Sequence, residues 1–307
     1  MENQTTILQC IKEFEKTQNV SVLYACDSGS RAHGYHTETS DFDIKLVYIQ
    51  PAAQYFTLGN KMPKESIRQQ MREDVDFSGF DLKHFLRLVQ SGNPNVLDFV
   101  NSNRVYFQDP KFLPVRQSAQ TFCNPIAQHF QFTGEVKQFN EKLAHATSVR
   151  PKEILQIAFP AMRLAYLMQH PAYSKHKQEK ELLFWGTLSD LTKEILENRD
   201  IYGNLFPAKT CQQIDRALEA RRNGYSLVAK EDFCQVINAL LDHAKTKFDT
   251  TLYVRETPDA KRLETLFRNA VLDKLQEEKI LSKNTDKTPV LTIRKINQYS
   301  NATSLER

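Results

Sequence analysis

Two short segments decide the fold, namely SGSRAHG at residues 28–34 and SDFDIKLVYI at residues 40–49. The first follows an apolar run over residues 20–26, and the second is itself apolar after its start. Apolar runs bounded by small and polar residues are typical of strands joined by loops. We therefore expect a small β-sheet near the start of the chain.

Asp41 and Asp43 lie two residues apart at the start of the second predicted strand. Because side chains alternate between the two faces of a strand, both carboxylates are expected on one face, with Cα atoms roughly 6.5–7 Å apart. Two carboxylates that close repel each other unless a cation lies between them. Mg²⁺ (or Mn²⁺), held by carboxylates and substrate phosphates, fits such a pair.

Gly29 and Ser30 follow the first predicted strand and open the loop. A glycine lets the backbone approach a phosphate closely, and N–H groups at the start of a helix bind anions. Arg31 adds a planar donor suited to phosphate oxygens. A phosphate cradle beside two metal-binding carboxylates predicts metal-assisted phosphoryl or nucleotidyl transfer. The alternative is that residues 29–34 form an ordinary turn and that Asp41 caps a loop.

The remainder of the chain is dominated by helical periodicity. The nine glycines among 307 residues fall far below the usual share of about 7%, which disfavours an architecture of many strands and turns. A further strand is expected near residues 75–77, and SGFD at residues 78–81 resembles a capping box that opens a helix. Apolar spacing predicts helices near residues 4–18, 134–147, 151–169, 178–198, 209–222, 230–251 and 258–281.

The sequence therefore predicts an α+β catalytic module over residues 1–110, an all-helical domain over residues 111–282 and a loosely held tail over residues 283–307. The first module carries 11 basic and 14 acidic residues, whereas the remainder carries 30 and 23. An acidic module joined to a basic one is compatible with a metal site beside a surface that binds a polyanion. The alternative is a lysine-rich helical surface that is merely solvated.

Several classes of protein are disfavoured. No stretch approaches the roughly 18 apolar residues of a membrane span, and the N-terminus lacks the pattern of a signal peptide. The five cysteines are scattered without a C-x-x-C pair, which argues against a zinc site or a disulfide framework and predicts a cytoplasmic protein. The motifs of P-loop ATPases, dinucleotide-binding folds, zinc proteases and α/β-hydrolases are absent from the sequence.

The segments SGSRAHG and SDFD resemble the minimal nucleotidyltransferases of the DNA polymerase β superfamily. The resemblance is closer still to the RNA repair pathway branch, which tends to show D-x-S-G-x-D-L-x-K followed by N-P-x-x-L-E. Here these stretches read DFSGFDLK at residues 76–83 and NPNVLD at residues 93–98. The resemblance covers residues 20–106 strongly and the rest weakly. It implies a polymerase-β-like sheet with flanking helices.

The resemblance and strand alternation together make Asp76 the first choice for a third carboxylate, either as metal ligand or as general base. Asp81 is the second choice, and the alternative for it is the acidic position of the capping box, three residues after Ser78. Asp81 and Lys83 are further candidates for nucleotide contacts, with a solvated helix face as the alternative for Lys83. The site predicted from the sequence thus comprises these candidates: Asp41, Asp43 and Asp76 for metal and catalysis, and Gly29, Ser30, Arg31, Asp81 and Lys83 for the nucleotide.

The helical region matches the family only in part. Such proteins often carry a lysine followed by Arg-Pro in an aromatic helix, and Lys152 and Pro160 fit that pattern. Phe159, however, stands in the place of the arginine, and His33 lies where a larger aromatic residue is common. Arg163 is a candidate for contacting a nucleotide from the same helix.

The expected reaction is transfer of a nucleoside monophosphate from an NTP to an acceptor hydroxyl, with Mg²⁺ or Mn²⁺ as the metal. The resemblance and the basic helical region favour an RNA end as acceptor. A protein side chain or a small molecule is the alternative acceptor. A non-catalytic binding or regulatory protein on the same fold is a different class, which the intact Asp41, Asp43 and Gly29-Ser30 disfavour.

Overall fold

The computed structural model describes residues 2–57, 64–122, 124–143, 149–169, 186–225, 231–248 and 260–285. A mixed five-stranded sheet forms the first part, in the spatial order β3-β4-β2-β1-β5. Its strands are β1 (Ser21–Asp27), β2 (Phe42–Ile49), β3 (Ser66–Arg72), β4 (Val75–Asp81) and β5 (Val105–Gln108). The fold is thus the expected α+β arrangement of a small sheet followed mainly by helices.

Eleven α-helices are assigned within the described residues. They are α1 (Glu2–Gln18), α2 (Leu82–Gln90), α3 (Pro94–Val100), α4 (Leu113–Gln120), α5 (Pro125–Leu143), α6 (Pro151–Gln169), α7 (Leu188–Glu197), α8 (Arg199–Tyr202), α9 (Ala208–Arg222), α10 (Glu231–Lys247) and α11 (Ala260–Thr285). Short 3-10 turns occupy Ala52–Phe56 and Pro110–Phe112. In the part of the chain that the structure describes, no helix combines the length and the apolar character needed to cross a membrane.

The pairing of β2 with β4 is parallel, and the other strand pairs are antiparallel. A parallel pair needs a crossover connection. Here the chain leaves β2 through the 3-10 turn at residues 52–56 and returns along β3 at the edge of the sheet. In this register Asp43 lies opposite Asp76. The topology therefore makes the two strands that carry the predicted carboxylates direct neighbours.

One face of the sheet is covered by α1. Ile7, Cys10, Ile11 and Phe14 of this helix are buried in one cluster with alternate residues of β2 and β4. The Phe14 ring meets Tyr48 and Phe77 edge-on, with centroids 6.4 and 5.7 Å apart. Because these alternate positions point down onto α1, the positions between them point to the other face.

The other face is covered only in part. Val47 and Ile49, late in β2, are buried under α2, α3 and α4. Asp43 and Lys45, early in the same strand, line an open cleft instead. The early part of β2 is therefore uncovered and belongs to a polar concave surface. The late part of β2 is covered by helices and contributes to the hydrophobic core.

The helices α5, α6, α7, α9 and α10 form a separate buried cluster around α6. Nearly every residue of α6 from Ile154 to Leu167 is buried, which explains its almost uninterrupted apolar sequence. The predicted helices near 134–147, 151–169, 209–222, 230–251 and 258–281 correspond to α5, α6, α9, α10 and α11. Residues 144–147, 230, 249–251 and 258–259 of these predictions lie outside the described residues. The start predicted for the helix at 178–198 lies outside the described residues, and its remainder corresponds to α7 and part of the turn that follows.

The predicted capping box at residues 78–81 is wrong. The strand continues through Phe80, and Asp81 rather than Ser78 caps α2, with its side chain accepting from the Lys83 N–H. Alternation explains this difference: Val75 and Phe77 face α1, and Gly79 continues the series on that side, where an added Cβ would lie 2.9 Å from Leu46 Cβ. The sequence analysis also missed β3, β5, α4 and the short helix α8.

The last helix packs against the first module, which the predicted division of the chain did not anticipate. Leu263 and Val271 of α11 are buried in the cluster that contains α2 and α4. Lys274 donates to the Ser21 hydroxyl at 2.6 Å, and Glu278 accepts from the Ala52 N–H at 3.2 Å. The boundary at residue 110 stays a prediction. Residues 283–285 of the predicted tail are helical, and residues 286–307 lie outside the described residues.

We expect Asp81→Ala to lower the free energy of unfolding by about 2–4 kcal/mol. The helix loses its N-cap, usually about 1 kcal/mol, and the donors of half-buried Tyr55 and buried Gln50 lose their acceptor, at about 1–3 kcal/mol. Urea denaturation at pH 7 measures the change. Asp109→Ala is the matched control, because Asp109 caps a 3-10 turn with a surface hydrogen bond to the Lys111 N–H. Equal stability of the two variants would contradict this account.

Candidate active site

Two carboxylates face each other across the parallel strands β2 and β4. Asp43 and Asp76 are paired positions in the register, and both line a cleft of about 540 Å³. An adjoining hollow of about 450 Å³ shares these two residues and adds Asp41, which directly precedes β2. The expected alternation holds, since Phe42 and Ile44 are buried whereas Asp41 and Asp43 are exposed. We call Asp41, Asp43 and Asp76 the acidic row.

A second set of side chains crosses the sheet one step further along the strands. Ser78 lies opposite Lys45 on one side and opposite Arg68 on the other. The Lys45 ammonium donates to the Ser78 hydroxyl at 2.6 Å, and the Arg68 guanidinium binds the Asp76 carboxylate at 2.8 Å. Since two residues along a strand span roughly 6.5–7 Å, these cations lie immediately beside the acidic row. We call Lys45 and Arg68 the basic row.

The loop after β1 is fastened to the acidic row. The Ser28 N–H and hydroxyl both donate to the Asp43 carbonyl, at 3.0 and 3.1 Å. A Cβ added at Gly29 would lie 2.0 Å from Asp43 Oδ2, so a side chain at this position would collide with the carboxylate. Gly29 is therefore required by the close approach of Asp43, a reason the sequence analysis did not foresee.

The charges in the cleft influence one another. Burial raises the pKa of Asp43, and the carboxylates of Asp41 and Asp76 raise it further, while Lys45 and Lys152 oppose the shift. Burial lowers the pKa of Lys45, and the negative charge of Asp43 opposes that shift. Carboxylates near one another repel, and their charged forms are stabilised when a cation joins them. The acidic row thus favours binding of positive charge.

The carboxylate oxygens of the acidic row can supply part of the coordination shell of a hard divalent cation. Mg²⁺ is commonly bound by one or two carboxylates, with substrate phosphates and water completing its coordination. Asp43 and Asp76 provide two such carboxylates facing one cleft. Across the described ranges, no three His, Cys, Asp or Glu side chains are grouped tightly enough to hold a metal ion together. The arrangement therefore matches a site that the phosphates of a bound substrate complete.

The structure does not bring Ser30 and Arg31 into the cleft. Ser30 is buried in the loop, where its carbonyl accepts from the Tyr35 N–H. Arg31 is 7% exposed and donates to the carbonyls of Ser40 and Asp41, at 2.5 and 3.3 Å. Its guanidinium also lies 3.8 Å from the centroid of the Phe42 ring. Arg31 therefore holds the entry to β2 in place.

Asp81 and Lys83 are also absent from the residues that line the cleft. Asp81 is 2% exposed, and its carboxylate accepts from the Tyr55 hydroxyl at 2.5 Å and from the Gln50 amide at 3.1 Å. Burial raises the pKa of Asp81, whereas these hydrogen bonds oppose the shift. Lys83 is exposed on α2. Of the two carboxylates that the sequence left open as third member of the site, the structure places Asp76 beside Asp43.

The two departures from the family pattern contact each other. The rings of His33 and Phe159 are stacked, with centroids 4.2 Å apart and planes at 24°. Burial lowers the pKa of His33 to about 4, so the ring is neutral at pH 7. In the same region Arg163 of α6 forms a two-pronged pair with Asp98 of α3, at 2.7 and 3.2 Å. These contacts join the helical region to the sheet module.

Lys45, Arg68 and Ser78 are site residues that the sequence analysis missed. Period-two alternation could have found two of them, because Lys45 follows Asp43 by two residues and Ser78 follows Asp76 by two. Arg68 carried no such signal, since β3 was not identified as a strand. Lys152 was noted for its match to the family, and the structure places it within electrostatic reach of Asp43.

Comparisons with known proteins identify the family of this chain. The uncharacterized protein YcgL of Bacillus subtilis (strain 168) is 31% identical over 165 residues, which span 53% of this chain and 63% of that protein. A nucleotidyltransferase-like protein from Exiguobacterium sibiricum 255-15, solved at 1.90 Å resolution, is 13% identical with a TM-score of 0.28, covering 90% of this chain and 91% of that one. Residues 4–269 match the RlaP family, and the chain therefore belongs to the RNA repair pathway DNA polymerase beta family.

Proposed function

We propose that this protein is a nucleotidyltransferase that moves a nucleoside monophosphate from an NTP to a hydroxyl of an acceptor, with an RNA end as that acceptor. Membership of the family supports nucleotidyl transfer in general, an NTP as substrate and a divalent metal. The single observation that carries the proposal is the register of β2 and β4, which puts Asp43 opposite Asp76 with the basic row directly beside them. This is an arrangement for binding a metal-associated polyphosphate.

In the proposed reaction, the acceptor hydroxyl oxygen attacks the α-phosphorus of the NTP. A new P–O bond forms, the bond between the α-phosphorus and the bridging oxygen breaks, and pyrophosphate leaves with the electron pair. Asp76 accepts the proton of the attacking hydroxyl. Mg²⁺ or Mn²⁺ bound at the acidic row would neutralise charge on the phosphate oxygens.

The protein side chains supply the orientation of the nucleotide. Lys45 and Arg68 contact the phosphates, because they are the cations that line the cleft among the described residues. Arg68 releases Asp76 when the substrate binds. Its side chain is 80% exposed, so this ion pair is weak and readily exchanged for a phosphate contact. The Ser28–Gly29 segment keeps Asp43 in position beside them.

Incubation with each labelled NTP, Mg²⁺ or Mn²⁺, and total RNA or cell lysate tests the proposal. Label in RNA, with release of pyrophosphate, is the expected result. Label in a protein or in a small molecule would mean that the acceptor is not RNA, and the proposal of nucleotidyl transfer would stand. Absence of transfer with every NTP and both metals would support a non-catalytic binding or regulatory protein on this fold.

For the acidic row, we expect Asp43→Asn to reduce the transfer rate at saturating NTP at least about 100-fold, because the metal loses one of its two facing carboxylates. Its folding should be unchanged, since removing one of several mutually repelling carboxylates relieves repulsion. Asp242→Asn is the control, because Asp242 is exposed on α10. Single-turnover transfer and thermal melting measure the two effects. Wild-type transfer by the Asp43 variant would refute the assignment.

For the basic row, we expect Lys45→Ala to raise the KM for NTP about 10-fold or more. A hydrogen bond to a charged group typically contributes about 1.5–3 kcal/mol. Lys83→Ala is the matched control, because Lys83 is exposed on α2 and is not among the residues that line the cleft. Its KM should stay within about twofold of wild type. A larger increase in the KM for NTP in Lys83→Ala than in Lys45→Ala would mean that Lys83, as predicted from the sequence, contacts the phosphates.

For the loop, we expect Gly29→Ala to reduce transfer strongly, because its Cβ would displace the Asp43 carboxylate. Gly134→Ala is the matched control: Gly134 is exposed in α5, and nothing lies within 4 Å of an added Cβ. That variant should keep its activity and gain about 0.5–1 kcal/mol of stability. Steady-state transfer and thermal melting compare the two variants. Equal transfer activities of the two variants would mean that displacement of the Asp43 carboxylate does not affect the reaction.

A further inference from the structure

The open cleft has an uncharged end to which the proposed reaction assigns no role. Among the described residues that line the cleft, every charged one belongs to the acidic row or to the basic row. Ser66, Phe80 and Phe99 line the same cleft and carry no charge. Three kinds of surface therefore share one cavity, namely carboxylates, cations and aromatic rings.

The register of the strands sets the order of these surfaces. Asp76, Ser78 and Phe80 are alternate residues of β4, and all three line the cleft. In the pairing with β3, Ser78 lies opposite Arg68, and Phe80 lies opposite Ser66. Since two residues of a strand span roughly 6.5–7 Å, the Phe80 Cα lies one such step beyond the basic row and two steps from Asp76. The cleft thus runs from acidic to basic to aromatic along the strands.

Phe80 and Phe99 form a pair of stacked rings, which we call the aromatic platform. Their ring planes are inclined by 9°, and their centroids lie 5.5 Å apart. The ring of His84, in α2, meets the Phe80 ring at 62° with centroids 5.3 Å apart. The Phe99 carbonyl accepts a hydrogen bond from the buried Tyr24 hydroxyl at 3.0 Å. The protein therefore fixes the platform in place before any ligand binds.

Part of the Phe80 ring is open to the cleft. Phe99 is buried, whereas Phe80 is half-buried and packs against the core formed by α2, α3 and α4. Apolar surface that stays in contact with water gains free energy when a ligand covers it. Aromatic rings also favour stacked or edge-on contact with other rings. The open part of Phe80 is therefore suited to a flat ring system.

The aromatic platform adjoins the basic row. The Lys45 ammonium lies 5.7 Å from the centroid of the Phe99 ring, within the range of a cation–π contact. A nucleotide carries its phosphate and its base on one ribose, so neighbouring cationic and aromatic surfaces can bind the two parts of the same molecule. Proteins that bind single-stranded nucleic acids commonly stack bases on Phe, Tyr, Trp or His rings.

We propose that the aromatic platform binds a nucleobase, which packs against the part of the Phe80 ring that faces the cleft, while a phosphate of the same nucleotide lies on the basic row. This inference rests on the proposed function, because it takes a nucleotide as the ligand, and it adds the position of the base. Both substrates of the proposed reaction carry bases, namely the NTP and the end of the acceptor RNA. Because every base has a π-face, the platform accepts all four bases.

A matched pair of small ligands tests whether the base comes from the NTP. ATP and ribose 5-triphosphate, which lacks only the base, are titrated calorimetrically with Mg²⁺ and without acceptor. If the NTP supplies the base, the wild-type protein binds ATP about 10-fold or more tightly than the base-free ligand. Phe80→Leu should remove that preference and bind ribose 5-triphosphate as wild type does, because leucine keeps the apolar packing and lacks the π-face.

A second matched pair tests whether the base comes from the acceptor. Two single-stranded RNAs of 12 nucleotides carry fluorescein at the 5′ end and differ only in whether the 3′-terminal nucleotide has a base. Fluorescence anisotropy without NTP measures their affinities. If the RNA end supplies the base, the preference of about 10-fold and its loss in Phe80→Leu appear with the RNA pair and not with ATP.

Two further variants serve as controls. Phe80→Tyr retains an aromatic ring and should keep the base preference of the wild type. Phe130→Leu should bind every ligand within about twofold of wild type, because Phe130 is exposed on α5 and is not among the residues that line the cleft.

Photocrosslinking of the wild-type protein decides the question if Phe80→Leu does not fold. The probes are 4-thio-UTP and an RNA that ends in 4-thiouridine, so the two possible sources of the base are tested separately. A crosslink of one probe at Phe80 or Phe99 is the expected result. Crosslinks of both probes confined to other residues would overturn the proposal.

Three results of the binding experiments would also overturn it. The first is a wild-type protein that shows no base preference with either ligand pair. The second is a base preference that Phe80→Leu retains. The third is an equal loss of affinity for the base-free ligands in Phe80→Leu, which would mean that the substitution disturbs the cleft as a whole.

Failure of the proposed function would look different. Asp43→Asn should retain the base preference, because Asp43 lies in the acidic row, at the other end of the cleft. A base preference that depends on Phe80, in a protein that transfers no nucleotide, would support the aromatic platform and reject the proposed transfer. Nucleotide transfer with the same KM values for NTP and RNA in Phe80→Leu and wild type would support the transfer and reject the platform.

Discussion

The parallel pairing of β2 with β4 is the constraint on which the rest of the site depends. It sets Asp43 opposite Asp76 and, one step along, Lys45 opposite Ser78. Any shift of one residue would turn every one of these side chains to the face that α1 covers. The buried alternate positions, such as Ile44 and Phe77, make that shift costly, so the hydrophobic core enforces the register of the polar residues.

The site balances opposite charges within a short distance. On β2 the carboxylate of Asp43 and the ammonium of Lys45 are two residues apart, and each opposes the shift that burial imposes on the pKa of the other. Arg68 forms an ion pair with Asp76 of the acidic row, as a cation that arrives with the substrate would. Because β3 is an edge strand and Arg68 extends into solvent, this charge can be redistributed when a substrate arrives without disturbing the core.

The α+β fold, β1 and β2 could be predicted from the sequence, and so could the placement of Asp41, Asp43 and Asp76 near one another, because alternation and the family motifs act over a few residues. The sequence analysis misplaced the start of α2, since SGFD satisfies a capping box and a strand equally well and only the contact of Gly79 with β2 decides between them. It missed β3, in which Ile67 is the one buried residue among exposed and half-buried positions. Arg68 was missed together with that strand. The contacts that hold Arg31 outside the cleft could not be foreseen, because its carbonyl partners lie nine and ten residues away.

The return of α11 to the sheet has a consequence for how the protein is made. Leu263 and Val271 complete a core whose other fully buried members precede residue 123. A ribosome adding roughly 5–20 residues per second needs about 8–30 s to travel the roughly 160 residues from the end of β5 to Val271. During that interval the apolar surface of α2 and α4 faces water or a chaperone. The sheet module thus completes its native packing only after α11 has been synthesised, although all five of its strands precede residue 109.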